Sequence, residues 1–197
     1  MTDSSQIRVW DPLVRFFHWS LASAFIIAYI TGEELLIVHI WAGYLILALI
    51  GIRFVWGVFG SRYARFSDFV YSPANIIQFL KDTLYLRAKR YLGHNPAGGA
   101  MVILLMVSLL ITGTSGVLLL GAEDQAGPLA HWFSQTGSFW GEALEELHEF
   151  FANFTLLLVF AHVVGVFVES VIHKENLVSA MITGFKPERP DHNEGAS

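Results

Sequence analysis

Eight histidines occur in the 197-residue chain, and four of them sit inside or at the rims of strongly apolar runs. An ionisable side chain is costly there unless it has a partner. His162 lies in FTLLLVFAHVVGVFV, with no sequence neighbour able to pair with it. His148 precedes it by fourteen residues. That is close to four helical turns, so one helix carries both on nearly the same face, about 21 Å apart along its axis. An isolated buried histidine is ordinarily a hydrogen-bonded core residue. Two at this interval read instead as ligands at two levels. A haem iron held from both sides needs a facing histidine at matching depth on another helix. His18, one turn inside the start of the first apolar run, and His39, at the start of the second, meet that need. Depth pairs His39 with His148 and His18 with His162. Arg53 follows His39 by the same fourteen residues, which puts a fixed positive charge on the same face. It suits a haem propionate, and equally a cation that snorkels to the membrane surface.

The other histidines, His94, His131, His173 and His192, fall in loops or at helix ends and are read as surface residues. His94, Asn95, Arg62, Arg65 and Glu169 share one side of the chain's topology, where a bound quinone would need hydrogen-bond donors and a proton path. Gly43 and Gly51, with Gly113, Gly116 and Ser108, give small surfaces for a flat porphyrin or for plain helix packing. Glu145 and His148 form the Glu-x-x-His unit of di-iron bundles, but no second such unit exists to complete that site. Cysteine is absent, which excludes disulfides, thiolate metal sites, iron–sulfur clusters and c-type haem attachment. Phosphate-loop and nucleophile-elbow motifs are missing as well, so nucleotide-driven and hydrolytic chemistry have no support.

The elements that position these residues are legible in the charges. Hydrophobic residues make up 54% of the chain and charged ones only 15%, too apolar for an ordinary soluble domain. No charge occurs between Arg15 and Glu33, Glu34 and Arg53, Arg90 and Glu123, or Glu149 and Glu169. Three of these windows hold 17 to 19 residues, the short end of what crosses a bilayer, so the helices must run past their bounding charges. Expected spans cover about 14–31, 39–59, 98–120 and 142–173. Together they form an all-α, up-and-down, integral membrane four-helix bundle, with residues 1–197 as one domain.

Every Lys and Arg falls in the N-terminus, between Arg53 and Arg90, or in the C-terminus from Lys174 to Arg189. The positive-inside rule makes that side cytoplasmic, with both termini inside and the acidic segments Glu33 to Glu34 and Glu123 to Glu146 opposite. A bacterial inner membrane is the simplest location. The N-terminus lacks a charged region followed by a cleavage site, so the first span is expected to be retained. Residues 32–38 should form a tight turn. An amphipathic stretch near Ala74 to Leu86 should lie along the membrane surface, and Trp132 and Trp140 suit interface anchors.

The chain resembles the bacterial cytochrome b561 and nickel–iron hydrogenase cytochrome b subunit family over almost its whole length. The matching stretches are VWDPLVRFFHW, HIWAGYLILALIGIRFVWGVFGSRYARFSDF, GHNPAGGAM, LHEFF with FAHVVGV, and HKENLVSAMITGFK. The resemblance implies a four-helix bundle holding two non-covalent haems b, with ligands at His18, His39, His148 and His162. It also implies electron exchange between the membrane quinone pool and a periplasmic partner, either a c-type cytochrome or a nickel–iron hydrogenase. GHNPAGG and the HKENLVSAMITG tail look more like the short, generic members. Some of those are proposed to act alone as superoxide:ubiquinone oxidoreductases. A different class of reading is a non-haem membrane anchor, or a small proton or solute transporter whose histidines relay protons. No nucleic-acid partner is expected.

Overall fold

A computed structural model of the chain describes residues 6–32, 34–133 and 139–188. Glu33, Arg189 and His192 lie outside the described residues.

Four long helices dominate. α1 (Pro12–Thr31) starts where Pro12 presets the first helical turn and the Asp11 side chain accepts the Val14 amide at 2.9 Å. α2 spans Leu36–Phe59 and ends at Gly60. α3 (Pro73–Leu84) is a shorter helix, begun by the same grammar with Ser72 as cap and Pro73 behind it. α4 (Pro96–Ala122) is capped by Asn95, whose side chain accepts the Gly98 amide. α5 (Phe139–His173) is the longest at 35 residues, and the seven-residue α6 (Leu177–Thr183) follows it. Of these, α1, α2, α4 and α5 are long and apolar enough to cross a membrane. Each begins two or three residues before its expected start. α5 starts three residues early at Phe139, and in the turn between the first two spans Leu36, Ile37 and Val38 are likewise helical, three residues ahead of the expected start. An uninterrupted apolar run has no helix-breaking residue there to stop propagation towards the charge.

Chain neighbours pack as antiparallel pairs, α1 on α2 and α4 on α5, and α2 lies against α4. A core of Ala24, Phe25, Ala28, Ala42, Ile46, Ile50, Met106 and Leu109 fills the space among α1, α2 and α4. The α4–α5 seam is closed at mid-height by Ser108 and Thr155. Their hydroxyls lie 2.7 Å apart, and the two residues are 1% and 0% exposed. In contrast, α5 has little direct packing against α1 or α2 among the described residues. One link across that gap is the Tyr29 hydroxyl, which donates to Asn153 at 2.8 Å.

A clasp that periodicity cannot reveal gathers the two ends of the chain. Strand β1 (Gln6–Arg8) pairs antiparallel with β2 (Phe185–Pro187), Ile7 opposite Lys186. The Val9 and Trp10 amides both donate to the Gly184 carbonyl, at 2.9 and 3.1 Å. Gly184 has φ +92°, and a Cβ there would fall 2.7 Å from the Trp10 carbonyl oxygen, so the turn requires glycine. Beneath it Val9, Trp10, Val14, Ala64 and Ala180 form a second core. Arg15 donates to the Ile182 carbonyl, and the guanidinium of Arg90 pairs with Glu175. Trp56 Nε1 donates to the Asp11 carboxylate at 3.0 Å, as does the Ser61 hydroxyl. Burial alone would raise the Asp11 carboxyl, yet these donors and the Val14 amide hold it below its usual value. Lys186, whose ammonium donates to the Tyr91 carbonyl, is pushed down to about 8 by burial, against the pull of Glu175.

Candidate functional site

All four histidines of the apolar runs face the gap between α5 and the α1–α2 pair, and all are half-buried. His18 projects from α1 near the clasp end. His39 comes from the first turn of α2 at the opposite end, and α5 contributes His148 and His162 at the corresponding heights. Ring centres of His39 and His148 stand 5.8 Å apart, and those of His18 and His162 stand 6.3 Å apart. With metal–nitrogen bonds of about 2 Å, and each ring nitrogen about 1 Å from its ring centre, two imidazoles on opposite sides of one metal ion stand about 6 Å apart. Both pairs have that spacing.

The two levels differ in how the rings are held. His39 Nδ1 donates to the Ala28 carbonyl at 2.8 Å, and His148 Nδ1 donates to the Thr112 carbonyl at 2.9 Å. A carbonyl only accepts, so both Nδ1 atoms carry the proton and both Nε2 atoms keep a free lone pair. Gly116 makes room for the second ring, since a Cβ there would lie 2.9 Å from His148 Cε1. At the clasp end His18 Nδ1 is buried with no hydrogen-bond partner among the described residues.

Arg53 lies at the clasp end of α2 and is 2% exposed, so it does not snorkel. Its guanidinium packs over the rings of Phe66 and Phe69, at 5.1 and 5.7 Å, and Nη1 has no hydrogen-bond partner among the described residues. The Asp11 carboxylate is near enough to act on this charge, but Nη1 itself is left free to donate to an anion. His94 is no surface residue. Its ring lies 4.5 Å from that of Phe69 and 4.7 Å from that of Trp10, and its Nδ1 is likewise buried and unpartnered. Burial, followed by the charge of Arg53, pushes its pKa down to about 3. Asn95 donates to Glu169 at 2.9 Å, and His173 lies 3.3 Å from the same carboxylate oxygen. Arg65 turns instead to the Gly60 carbonyl, and Arg62 to the ring of Tyr63. His131 is exposed on the short turn Ala130–Trp132. Among the small residues, Gly43 and Gly51 border open space, Gly113 faces Leu47, and Ser108 belongs to the seam with α4's partner helix.

The sequence profile of the family described as "Prokaryotic cytochrome b561" matches residues 9–184. The chain belongs to the prokaryotic cytochrome b561 family. The match takes in all four long helices and stops inside the clasp. Curated relatives are similar over nearly the same extent. The "Probable Ni/Fe-hydrogenase B-type cytochrome subunit" of Azotobacter vinelandii is 24% identical, over 94% of this chain and 91% of its own length. Proteins of the same description from Cupriavidus necator and Rhizobium leguminosarum bv. viciae are 24% and 23% identical, over 90% and 92% of this chain and 86% and 89% of theirs. No solved structure gives a significant match.

As a prokaryotic cytochrome b561, the protein is a multi-pass bacterial membrane b-type cytochrome of electron transfer, and haem b is its cofactor. The cleft fits such a group. It offers imidazole nitrogens at metal-bridging spacing, fixed tautomers in one pair, and beside the other a buried guanidinium nitrogen without a hydrogen-bond partner among the described residues. The backbone carbonyls of Ala28 and Thr112 are the parts that sequence reasoning missed, and His94, read there as a loop residue on the quinone side, packs instead against Trp10 and Phe69. The only signal for His94 was its place in GHNP, immediately before the capping Asn95 of α4.

Proposed function

We propose that the chain is a di-haem membrane cytochrome that transfers electrons between the quinone pool and a redox partner on the opposite side of a bacterial inner membrane. The supporting observation is the presence of two facing histidine pairs, one toward each end of the bundle. His39 with His148 would hold one haem and His18 with His162 the other. Haem, when bound, supplies one-electron redox chemistry. The residues hold, orient and shield it. His39 and His148 present Nε2 from rings fixed by backbone carbonyls. Arg53 supplies a desolvated positive charge at the clasp end, suited to a propionate. Ile46, Leu109 and their neighbours keep water out of the bundle between the two levels.

Both termini lie on the cytoplasmic side in this reading, because the basic segments share the clasp end. The names of the curated relatives favour a nickel–iron hydrogenase as partner over a c-type cytochrome. Asn95, hydrogen-bonded to Glu169, and His173 beside the same carboxylate form a polar group on the cytoplasmic side that suits a quinone head group and its protons.

The test is haem content and spectrum. Purified protein should show the reduced absorption band of b-type haem at two haems per chain, and His162→Ala should retain one. Unchanged stoichiometry in His162→Ala would remove His162 from the ligand set. One haem per chain in the parent protein would overturn the two-level reading.

A further inference from the structure

Two buried polar atoms near the clasp-end histidine pair share a neighbour. The Arg53 guanidinium lies 5.7 Å from the ring centre of Phe69, and the His94 ring lies 4.5 Å from it. Phe69 itself is 1% exposed, so the two groups meet one buried ring. Arg53 Nη1 and His94 Nδ1 are both out of contact with solvent, and neither has a hydrogen-bond partner among the described residues. A buried donor left unsatisfied is costly, and more so when it is charged. Two beside one phenyl ring therefore mark a ligand contact. Phe66 closes the Arg53 side, at 5.1 Å, and Trp10 closes the His94 side, at 4.7 Å. The charge of Arg53 and the rings of His18 and His162 all lie close enough to His94 to act on it electrostatically.

We propose that His94 and Arg53 together form a carboxylate clamp for the haem held by His18 and His162, with His94 Nδ1 donating to one propionate oxygen and Arg53 Nη1 to the same or the neighbouring carboxylate. The inference rests on the ligand pairing proposed above. Its chemistry is that of two donors around an anion. Arg53 brings permanent charge, while His94 brings a neutral N–H whose ring is fixed between Trp10 and Phe69 and which needs no charge to donate. Phe69 keeps the two donors apart and dry. The clasp takes part because Trp10, which backs His94, is itself held by the Gly184 carbonyl. The strand pair thereby stiffens a binding residue from behind. Among the described residues no counterpart of this clamp lies beside His39 and His148, whose Nδ1 atoms meet backbone carbonyls and, for His148, the Ser115 hydroxyl.

The experiment uses the full-length chain with both haems, reconstituted in nanodiscs, and follows redox titration together with haem transfer to an excess of apomyoglobin. His94→Phe keeps the aromatic stack and removes the donor. Only the haem component that His162→Ala abolishes should then move to lower potential, because an uncompensated carboxylate favours ferric iron, and that haem should leave roughly tenfold faster. Arg53→Gln should move the same component further, and His94→Gln, which keeps an N–H donor, should restore most of the parent behaviour. Unchanged potentials and transfer rates in His94→Phe would overturn the clamp. A shift confined to the component lost in His148→Ala would also overturn it, as would equal loss of both haems from His94→Phe and His94→Gln. If His162→Ala removes neither component, it is the ligand pairing that has failed.

Discussion

The two histidine pairs occupy one cleft and have nearly the same spacing, but they are built differently. At the end away from the clasp, both rings are anchored to main-chain carbonyls of neighbouring helices, and Gly116 gives one of them its space. At the clasp end His18 Nδ1 has no such anchor among the described residues, and the surroundings contribute Arg53 and His94 instead. The first pair is organised by helix packing before any ligand arrives. The second is organised around charge and unsatisfied donors, so it has more to gain when a ligand arrives. Second-contact groups of either kind tune a metal centre, but the first kind sets ring orientation and the second sets anion binding.

The sharpest way to break this contrast is to remove a ligand from each level. His148→Ala and His162→Ala should each lose about one haem of two by haem assay. Their remaining redox components should differ from each other, and His39→Ala should match His148→Ala. Next in size is Gly116→Val, which forces a side chain into the His148 ring. Haem affinity of the pre-organised level should fall ten- to a hundredfold in a transfer assay, with the clasp-end component unmoved. Equal loss from both levels would show that the anchors serve the whole bundle.

How much of this was legible beforehand depends on the distance over which each feature is determined. The helices and the histidine pairing follow from local runs of charge-free residues and from depth along four antiparallel spans. His18 opposite His162 needs no more than that. The start of α2 was misplaced because Leu36, Ile37 and Val38 are equally at home in an apolar turn or a helix, and nothing nearby marks the cap. Arg53 left two readings open at the level of sequence, and burial against Phe66 and Phe69 removes the snorkelling one. The clasp was invisible since three-residue strands separated by nearly the whole chain carry no periodic signal. His94 was read as a surface residue on the quinone side for the same reason: its packing exists only once Trp10 and Phe69 have been brought to it.

Smaller effects separate the cleft from the dry seam behind it. Ser108→Ala leaves Thr155 with one partner fewer in a fully buried position, which should cost about 1 kcal/mol in unfolding assays. Both haem components should titrate as in the parent. A redox shift there would mean that the seam and the cleft are mechanically coupled. Smallest of all is the acid response of the clasp. The Asp11 carboxyl is held below its usual value, so the stability it contributes is complete above the ordinary carboxylate range and is lost as pH falls through the lowered value. Limited proteolysis of the chain's ends during acid titration should reveal a component that Asp11→Asn abolishes. Persistence of that component in the variant would assign it elsewhere.

Strand β2 is the last described element in chain order, and its partner β1 is the first. During synthesis Gln6–Arg8 must therefore wait for all four spans to be inserted before meeting Phe185–Pro187. This pairing closes the longest loop in the molecule, a slow, late event in any folding sequence. It signals completion, since an intermediate stalled before α6 keeps Trp10 uncovered and its amide without the Gly184 acceptor. A chain whose last span has not yet formed therefore lacks the partner of its first strand and stays loose at the clasp end.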